Sequence, residues 1–184
     1  MNFTADWFSH NIPNFKLCMD TIPERKLFLE IGVYEGRSTC WLLQNGLTEK
    51  GSIICIDPFN GGEAHADIDF KAVEGRFWTN TKEAKTMEQK VSLLKNKSYQ
   101  ALAEMIGHRA IFDFVYVDGS HAPSDTLSDA CMSWGMLKPR GVMLFDDYQY
   151  PHEPTKVGID AFLAGFAGQY EIIINNYQLA VRKL

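Results

Sequence analysis

Acidic side chains follow two apolar segments of the chain, at the point where each segment ends. Asp118 comes directly after Phe112–Val117, and Asp146 and Asp147 come directly after 142–145. If both segments are parallel strands of one sheet, the three carboxylates converge at its carboxyl edge. Carboxylates that face one cleft repel each other unless a cation lies between them, and oxygen ligands suit Mg²⁺, Mn²⁺ or Ca²⁺. The alternative is that Asp118 caps the next helix and the other two aspartates lie in a solvated loop.

A histidine lies three residues after the first of these aspartates. The imidazole of His121 can accept a proton near neutral pH, which makes it a candidate general base. The alternative is a residue near a helix N-cap that only hydrogen-bonds the backbone. His65, His108 and His152 carry less weight, and the segment 148–155 is equally consistent with a substrate-pocket lining and an ordinary loop.

A turn with two glycines separates the first predicted strand from a helix, in the order Glu30-Ile31-Gly32-Val33-Tyr34-Glu35-Gly36-Arg37-Ser38. Glycine allows a tight turn and a close approach to a ligand, and a helix N-terminus presents N–H groups to an anion. Asp57 follows the second strand, where an acidic side chain can accept the ribose hydroxyls of a nucleoside cofactor. The alternative is that the glycines only shape a turn and Asp57 caps a loop. Tyr34 occupies the middle glycine position of the dinucleotide fingerprint, which disfavours nicotinamide cofactors.

Apolar runs that alternate with helical stretches predict an α/β fold with a doubly wound, mostly parallel, Rossmann-like sheet. Residues 170–174 and 178–181 are expected to close it as an antiparallel hairpin, which gives about seven strands. We expect one domain over 1–184, in which 1–25 form a short cap before the first strand. Parallel strands are predicted at 26–31, 52–56, 91–94, 112–117 and 142–145, and helices at 38–44, 70–89, 99–106, 126–137 and 158–166.

Composition limits the partners and the compartment. The chain has 18 Lys and Arg against 23 Asp and Glu, a net charge of −5, and no basic stripe, so we expect no nucleic-acid partner. No apolar run is long enough to span a membrane. The cysteines lack metal-site spacing and disulfide density, which predicts reduced thiols in a cytoplasmic protein; they are Cys18, Cys40, Cys55 and Cys131.

The segment FLEIGVYEGRSTCWLL resembles motif I of class I S-adenosylmethionine-dependent methyltransferases, in the E-x-G-x-x-x-G form of small-molecule O-methyltransferases. The resemblance implies that the turn around Gly32 holds the methionine part of the cofactor, Ser38 its carboxylate and Asp57 its ribose. Lys97-Ser98-Tyr99 lies where such enzymes contact adenine. The cofactor-binding residues that the resemblance implies are Glu30, Gly32, Val33, Tyr34, Gly36, Ser38, Asp57, Pro58, Ser98 and Asp118.

The later segments VYVDGSH and LKPRGVMLFDDY resemble catechol-type and macrocin-type metal-dependent O-methyltransferases, and bacterial enzymes that modify sugars and natural products. This likeness implies that Asp118, Asp146 and Asp147 bind a divalent cation, with Mg²⁺ expected. Catechol-type enzymes carry a basic residue at the place of His121. Macrocin-type enzymes have an aspartate where this sequence has Ser120, so the identity of the base stays open.

The expected function is metal-assisted methyl transfer from S-adenosylmethionine to a hydroxyl of a small molecule, such as a sugar or a natural product. Two alternatives stay open: a nicotinamide-dependent oxidoreductase and a non-catalytic binder of a nucleoside cofactor with the same fold. Because the cap is short, the site is expected to be open or to be completed by a second subunit in a homodimer.

Overall fold

A computed structural model of the chain describes residues 1–61, 68–107, 111–151 and 154–184. Its seven strands form one sheet in the order β3-β2-β1-β4-β5-β7-β6. The predicted doubly wound fold and its C-terminal hairpin are confirmed. The strands are β1 (Leu27–Ile31), β2 (Ser52–Ile56), β3 (Lys90–Leu94), β4 (Phe112–Val117), β5 (Leu137–Phe145), β6 (Tyr170–Asn175) and β7 (Leu179–Lys183).

In the part of the chain that the structure describes, six α-helices cover the two faces of the sheet. A short 3₁₀ turn, Ser9–Asn11, precedes the first helix, and a π turn, Leu42–Gly46, continues the second. None of the helices in the described ranges is both long and apolar enough to cross a membrane. The helices are α1 (Ile12–Thr21), α2 (Arg37–Trp41), α3 (Phe70–Ala84), α4 (Ser98–Met105), α5 (Pro123–Trp134) and α6 (Thr155–Gly165).

Two apolar layers result from the alternation of side chains along the buried strands. In β1, Phe28 packs on the layer that carries α1, α2 and α3, whereas Leu29 packs on the layer of α4, α5 and α6. All six residues of β4 are buried, as expected for a central strand covered on both faces. This packing fixes the carboxyl ends of β1 and β4, which pair in parallel at the point where strand order reverses.

Two predicted boundaries are wrong for identifiable reasons. Residues 138–141, predicted as a turn before the fifth strand, belong to β5 as an irregular stretch, since the register shifts between Phe112 and Phe114 of β4. Arg140 takes a positive φ of 64° there. The third helix ends at Ala84 rather than 89 because Thr86 and Gln89 form a local turn, in which Gln89 Oε1 accepts from the Thr86 N–H at 3.0 Å.

Candidate active site

The glycine turn after β1 is required by the fold itself. Gly32 has φ 81°, and a Cβ added there would lie 1.8 Å from the carbonyl oxygen of Asp118. Gly36 has φ 78°, and its added Cβ would lie 2.9 Å from the Phe77 ring. Both positions therefore need glycine because of conformation and close packing. The contact at Gly32 also brings the turn against the end of β4.

Asp57 holds this turn in place. Its Oδ2 accepts hydrogen bonds from the backbone N–H groups of Val33 and Tyr34, both at 3.0 Å. Its Oδ1 accepts from the Phe59 N–H at 2.8 Å. Each carboxylate oxygen can accept two hydrogen bonds, so Oδ2 is fully used and Oδ1 can accept one more. The side chains of Asp57 and the adjacent Pro58 are both half-buried.

Glu30 is buried beneath the turn and serves the protein's own structure. Its carboxylate accepts from the Ser38 hydroxyl and from Thr39 Oγ1, the latter at 2.6 Å. Burial raises the pKa of Glu30 to about 7, against the lowering effect of these two hydrogen bonds. In the structure the Ser38 hydroxyl thus anchors Glu30. Its expected contact with the cofactor carboxylate stays a prediction.

The N-terminal segment 1–11 lies against the outside of the turn. Thr4 donates from its N–H and its Oγ1 to the carboxylate of Glu35, both at 2.6 Å. Arg76 Nε also donates to Glu35 at 2.5 Å. The Trp7 and Tyr34 rings have centroids 4.9 Å apart. The first residues of the expected cap therefore pack on the glycine turn.

Ser98 begins α4 and lies beside a buried carboxylate that the sequence analysis did not single out. Asp129 of α5 is 1% exposed, and neither of its oxygens has a partner in hydrogen-bond geometry. Burial raises the pKa of Asp129 to about 7, and the Ser98 hydroxyl opposes this rise. A single aspartate within an amphipathic helix forms no sequence pattern from which its burial beside Ser98 could be predicted.

The acidic group at the ends of β4 and β5 consists of Asp118, His121 and Asp147. One ligand atom from each of these three side chains lies within 4.8 Å of the other two. His121 Nε2 lies 3.2 Å from Asp147 Oδ2, and its side chain is 45% exposed. A cavity with room for about one water molecule adjoins the group, and its lining is Val117, Asp118, Gly119, Ser120, His121, Thr126, Asp146, Asp147 and Thr155.

Asp146 differs from the arrangement expected from the sequence. Its carboxylate accepts from Gln178 Nε2 at 2.7 Å and from Asn11 Nδ2 at 3.2 Å. The structure thus groups His121 with Asp118 and Asp147, while Asp146 lines the same cavity and has amide partners. The sequence could not show this because Asn11 and Gln178 are far apart in the chain and read as ordinary polar residues.

The electrostatics of the group favour a cation. Burial raises the pKa of Asp118, and the charges of Asp146 and Asp147 raise it further. Burial and the charge of Asp147 also raise the pKa of Asp146. A positive ion between such carboxylates would offset their repulsion. Two carboxylates and an imidazole within ligand distance fit a divalent cation such as Mn²⁺ or Mg²⁺ by the chemistry of their donor atoms.

Two tyrosines donate hydrogen bonds to the carboxylates of this group, and the sequence analysis did not single them out. The Tyr116 hydroxyl donates to Asp118 Oδ2 at 3.1 Å, and the Tyr177 hydroxyl donates to Asp147 Oδ1. Three histidines considered from the sequence, His65, His108 and His152, lie outside the described residues, as does part of the glycine-rich stretch 60–65.

Comparison with known proteins places the chain among methyltransferases. The profile of a family described as a methyltransferase domain matches residues 29–148. No curated protein matches the chain at a significant level of sequence similarity.

Solved structures show the same fold at low sequence identity. The O-methyltransferase NovP is 18% identical with a TM-score of 0.71, over 94% of this chain and 79% of NovP. A putative rRNA-methylase from Clostridium thermocellum is 12% identical with a TM-score of 0.68, over 99% of this chain and 100% of that one. The O-methyltransferase TomG from Streptomyces achromogenes, solved with SAM, is 20% identical with a TM-score of 0.62, over 94% of this chain and 80% of TomG.

Proposed function

Because this chain belongs to the methyltransferase domain family, we propose that it transfers the methyl group of S-adenosylmethionine to a hydroxyl oxygen of a small molecule, assisted by a divalent cation. The observation that carries this proposal is the adjacency of the two parts of the site. The Gly32 turn packs directly on the Asp118 backbone, so a cofactor on the turn would lie next to the acidic group. Methyl transfer needs this proximity, because the acceptor oxygen must lie in line with the methyl group.

The cofactor would lie along the ends of β1, β2 and β4, and would supply an electrophilic methyl group. Asp57 would accept one ribose hydroxyl through Oδ1 while Oδ2 continues to hold the turn through Val33 and Tyr34. The backbone of the turn faces the methionine part, and Ser98 borders the adenine. Glu30 acts from below by fixing the start of α2 through Ser38 and Thr39.

The cation would be held by the carboxylates of Asp118 and Asp147 and would supply positive charge beside the acceptor oxygen. Asp146 adds negative charge near this pair and keeps its amide partners. Mg²⁺ and Mn²⁺ are both suited to oxygen ligands. The protein's contribution is to keep two carboxylates turned toward one point, which pre-organises the site before the acceptor binds.

His121 would take up the proton that the acceptor hydroxyl loses. Its imidazole stands at the exposed side of the acidic group, and the nearby Asp147 carboxylate stabilises the imidazolium that forms. A ligand role and a base role for His121 exclude each other. We assign it the base role, and expect His121→Ala to lower turnover by about 10²-fold with little change in Mn²⁺ affinity. A large loss of Mn²⁺ affinity would identify His121 as a ligand instead.

The acceptor is proposed to be a small hydroxylated molecule because the chain has a net charge of −5 and a carboxylate-rich site, which disfavour a polyanion such as RNA. NovP and TomG are both O-methyltransferases, and TomG is involved in tomaymycin synthesis. We also propose a cytoplasmic location, since Cys18, Cys40, Cys55 and Cys131 are unpaired.

Calorimetric titration with S-adenosylhomocysteine tests the cofactor assignment, with NAD in a parallel titration and Asp57→Ala as the control variant. Micromolar binding that is lost in the variant and absent for NAD is expected. A methyl-transfer screen over hydroxylated acceptors and an RNA substrate, with Mn²⁺ or with chelator, then tests the reaction. Binding of NAD in place of S-adenosylhomocysteine would support the oxidoreductase alternative, and cofactor binding without any turnover would support the binder.

A further inference from the structure

We propose that Tyr177 is a positioning residue that holds the Asp147 carboxylate in the orientation needed to bind the cation. This inference rests on the cation site of the proposed function. The Tyr177 hydroxyl donates to Asp147 Oδ1. The second oxygen, Oδ2, lies 3.2 Å from His121 Nε2, and one carboxylate oxygen of Asp147 lies within 4.8 Å of a ligand atom of Asp118 and of His121. One oxygen is therefore fixed from behind and the other is presented to the site.

Asp147 needs such an anchor because it lies just beyond the last residue of β5. Its φ of 54° lies in the left-handed region, which is uncommon for a residue other than glycine. Sheet pairing ends at Phe145, where β5 pairs with Leu179 of β7. The position of the Asp147 side chain thus depends on contacts from outside its own strand.

Tyr177 is itself held firmly in the turn between β6 and β7. Its carbonyl oxygen accepts from the Gln149 N–H at 3.1 Å, which ties the turn to the loop after β5. Its ring lies edge-on to His10 at a centroid distance of 5.1 Å and to Tyr150 at 6.0 Å. A ring flanked in this way places its hydroxyl at a fixed point, so the hydrogen bond can define the carboxylate geometry.

The other carboxylate of the pair is held in the same manner. Tyr116, fully buried in β4, donates from its hydroxyl to Asp118 Oδ2 at 3.1 Å. Each proposed ligand thus has one phenolic donor behind it, one from the centre of the sheet and one from the C-terminal hairpin. Partners of this kind orient metal ligands, and their removal typically lowers metal affinity by about 10–100-fold.

The test is Mn²⁺ affinity, measured by electron paramagnetic resonance on the full chain without acceptor. Tyr177→Phe is expected to weaken Mn²⁺ binding by about 10–100-fold, with the affinity for S-adenosylhomocysteine unchanged. The matched control is Tyr170→Phe, which removes a hydroxyl of the same hairpin that donates to the Leu163 carbonyl at 3.1 Å. The control is expected to bind Mn²⁺ like the wild type.

Mn²⁺ binding by Tyr177→Phe that equals or exceeds that of the wild type would overturn the proposal. A wild-type protein that binds no Mn²⁺ would instead refute the cation site of the proposed function. The two failures are therefore distinguishable.

Discussion

The glycine turn and the acidic group lie at the same edge of the sheet, but their carboxylates are satisfied in different ways. At the turn, Asp57 accepts three backbone N–H groups, and Glu30 accepts two hydroxyls. At the acidic group, burial and then the neighbouring carboxylates raise the pKa of Asp118, which accepts a hydrogen bond from Tyr116. The turn is thus complete in the protein alone, whereas the acidic group retains a repulsion that a cation would offset.

This difference separates the two kinds of pre-organisation in the site. Hydrogen bonds internal to the chain shape the cofactor turn before any ligand arrives. The acidic group is held by two tyrosine hydroxyls, that of Tyr116 in β4 and that of Tyr177 in the C-terminal hairpin. Variants at the turn are therefore expected to change stability and cofactor affinity, and variants at the acidic group to change cation affinity and turnover.

The largest effect is expected where the two regions touch. Gly32→Ala would place a Cβ 1.8 Å from the Asp118 carbonyl oxygen at a φ of 81°, and should lower the free energy of unfolding by at least about 4 kcal/mol. Gly75→Ala, in the exposed part of α3 with nothing within 4 Å of the added Cβ, should stabilise by about 0.5–1 kcal/mol. Urea unfolding measures both. Wild-type stability of Gly32→Ala would show that the two strand ends are not in tight contact.

Removing a carboxylate from the acidic group should abolish most activity without unfolding the protein. Asp118→Asn or Asp147→Asn is expected to lower metal-supported methyl transfer by about 10³-fold, or about 4 kcal/mol. Asp160→Asn is the control, since its carboxylate pairs with Lys156 and Tyr148 instead. Steady-state rates with Mn²⁺ and with chelator provide the measurement. Turnover that survives both the substitution and the chelator would rule out the cation.

A substitution at Asp57 should weaken cofactor binding at the glycine turn and leave cation binding at the acidic group nearly unchanged. Asp57→Ala removes the acceptor of three backbone N–H groups and the proposed ribose contact. We expect S-adenosylhomocysteine affinity to fall by about 100-fold, or about 3 kcal/mol, while Mn²⁺ affinity stays within about threefold of wild type. Calorimetry for both ligands gives the comparison. Parallel losses for both ligands would mean that the regions are coupled through the turn.

The smallest effect is expected at Asp129, which resembles neither the carboxylates of the glycine turn nor those of the acidic group. Its buried oxygens lack hydrogen-bond partners. Its pKa is raised from 3.8 to about 7 by burial. Between these pH values the unfolded chain loses the proton and the folded chain keeps it, so stability falls as pH rises and levels off above 7. Asp129→Asn should be more stable than wild type by about 2 kcal/mol at pH 8 and similar to it at pH 4. Thermal unfolding over this pH range is the measurement. A wild-type protein that gained stability relative to Asp129→Asn as pH rose would contradict the prediction.

Much of the fold was predictable because it depends on local patterns. Strand β4 was placed at its observed bounds, since six residues buried on both faces form an uninterrupted apolar run. Boundaries failed where side chains reshape the backbone, as at Thr86 and Gln89, or where a strand tolerates an irregular stretch, as at 138–141. Periodicity does not report such local hydrogen bonds.

The sequence by itself determined the succession of strands and helices along the chain, the two-glycine turn after the first strand, and the location of Asp57, Asp118 and Asp147 at strand ends. These features depend on residue type and spacing along one short segment. Only the tertiary structure decided that Asp146 takes amide partners, that Ser38 serves Glu30, and that Tyr177 reaches Asp147. The two amide partners of Asp146, Asn11 and Gln178, come from opposite ends of the chain. Hydrogen bonds between such distant segments are fixed by the packing of the whole sheet rather than by any local sequence.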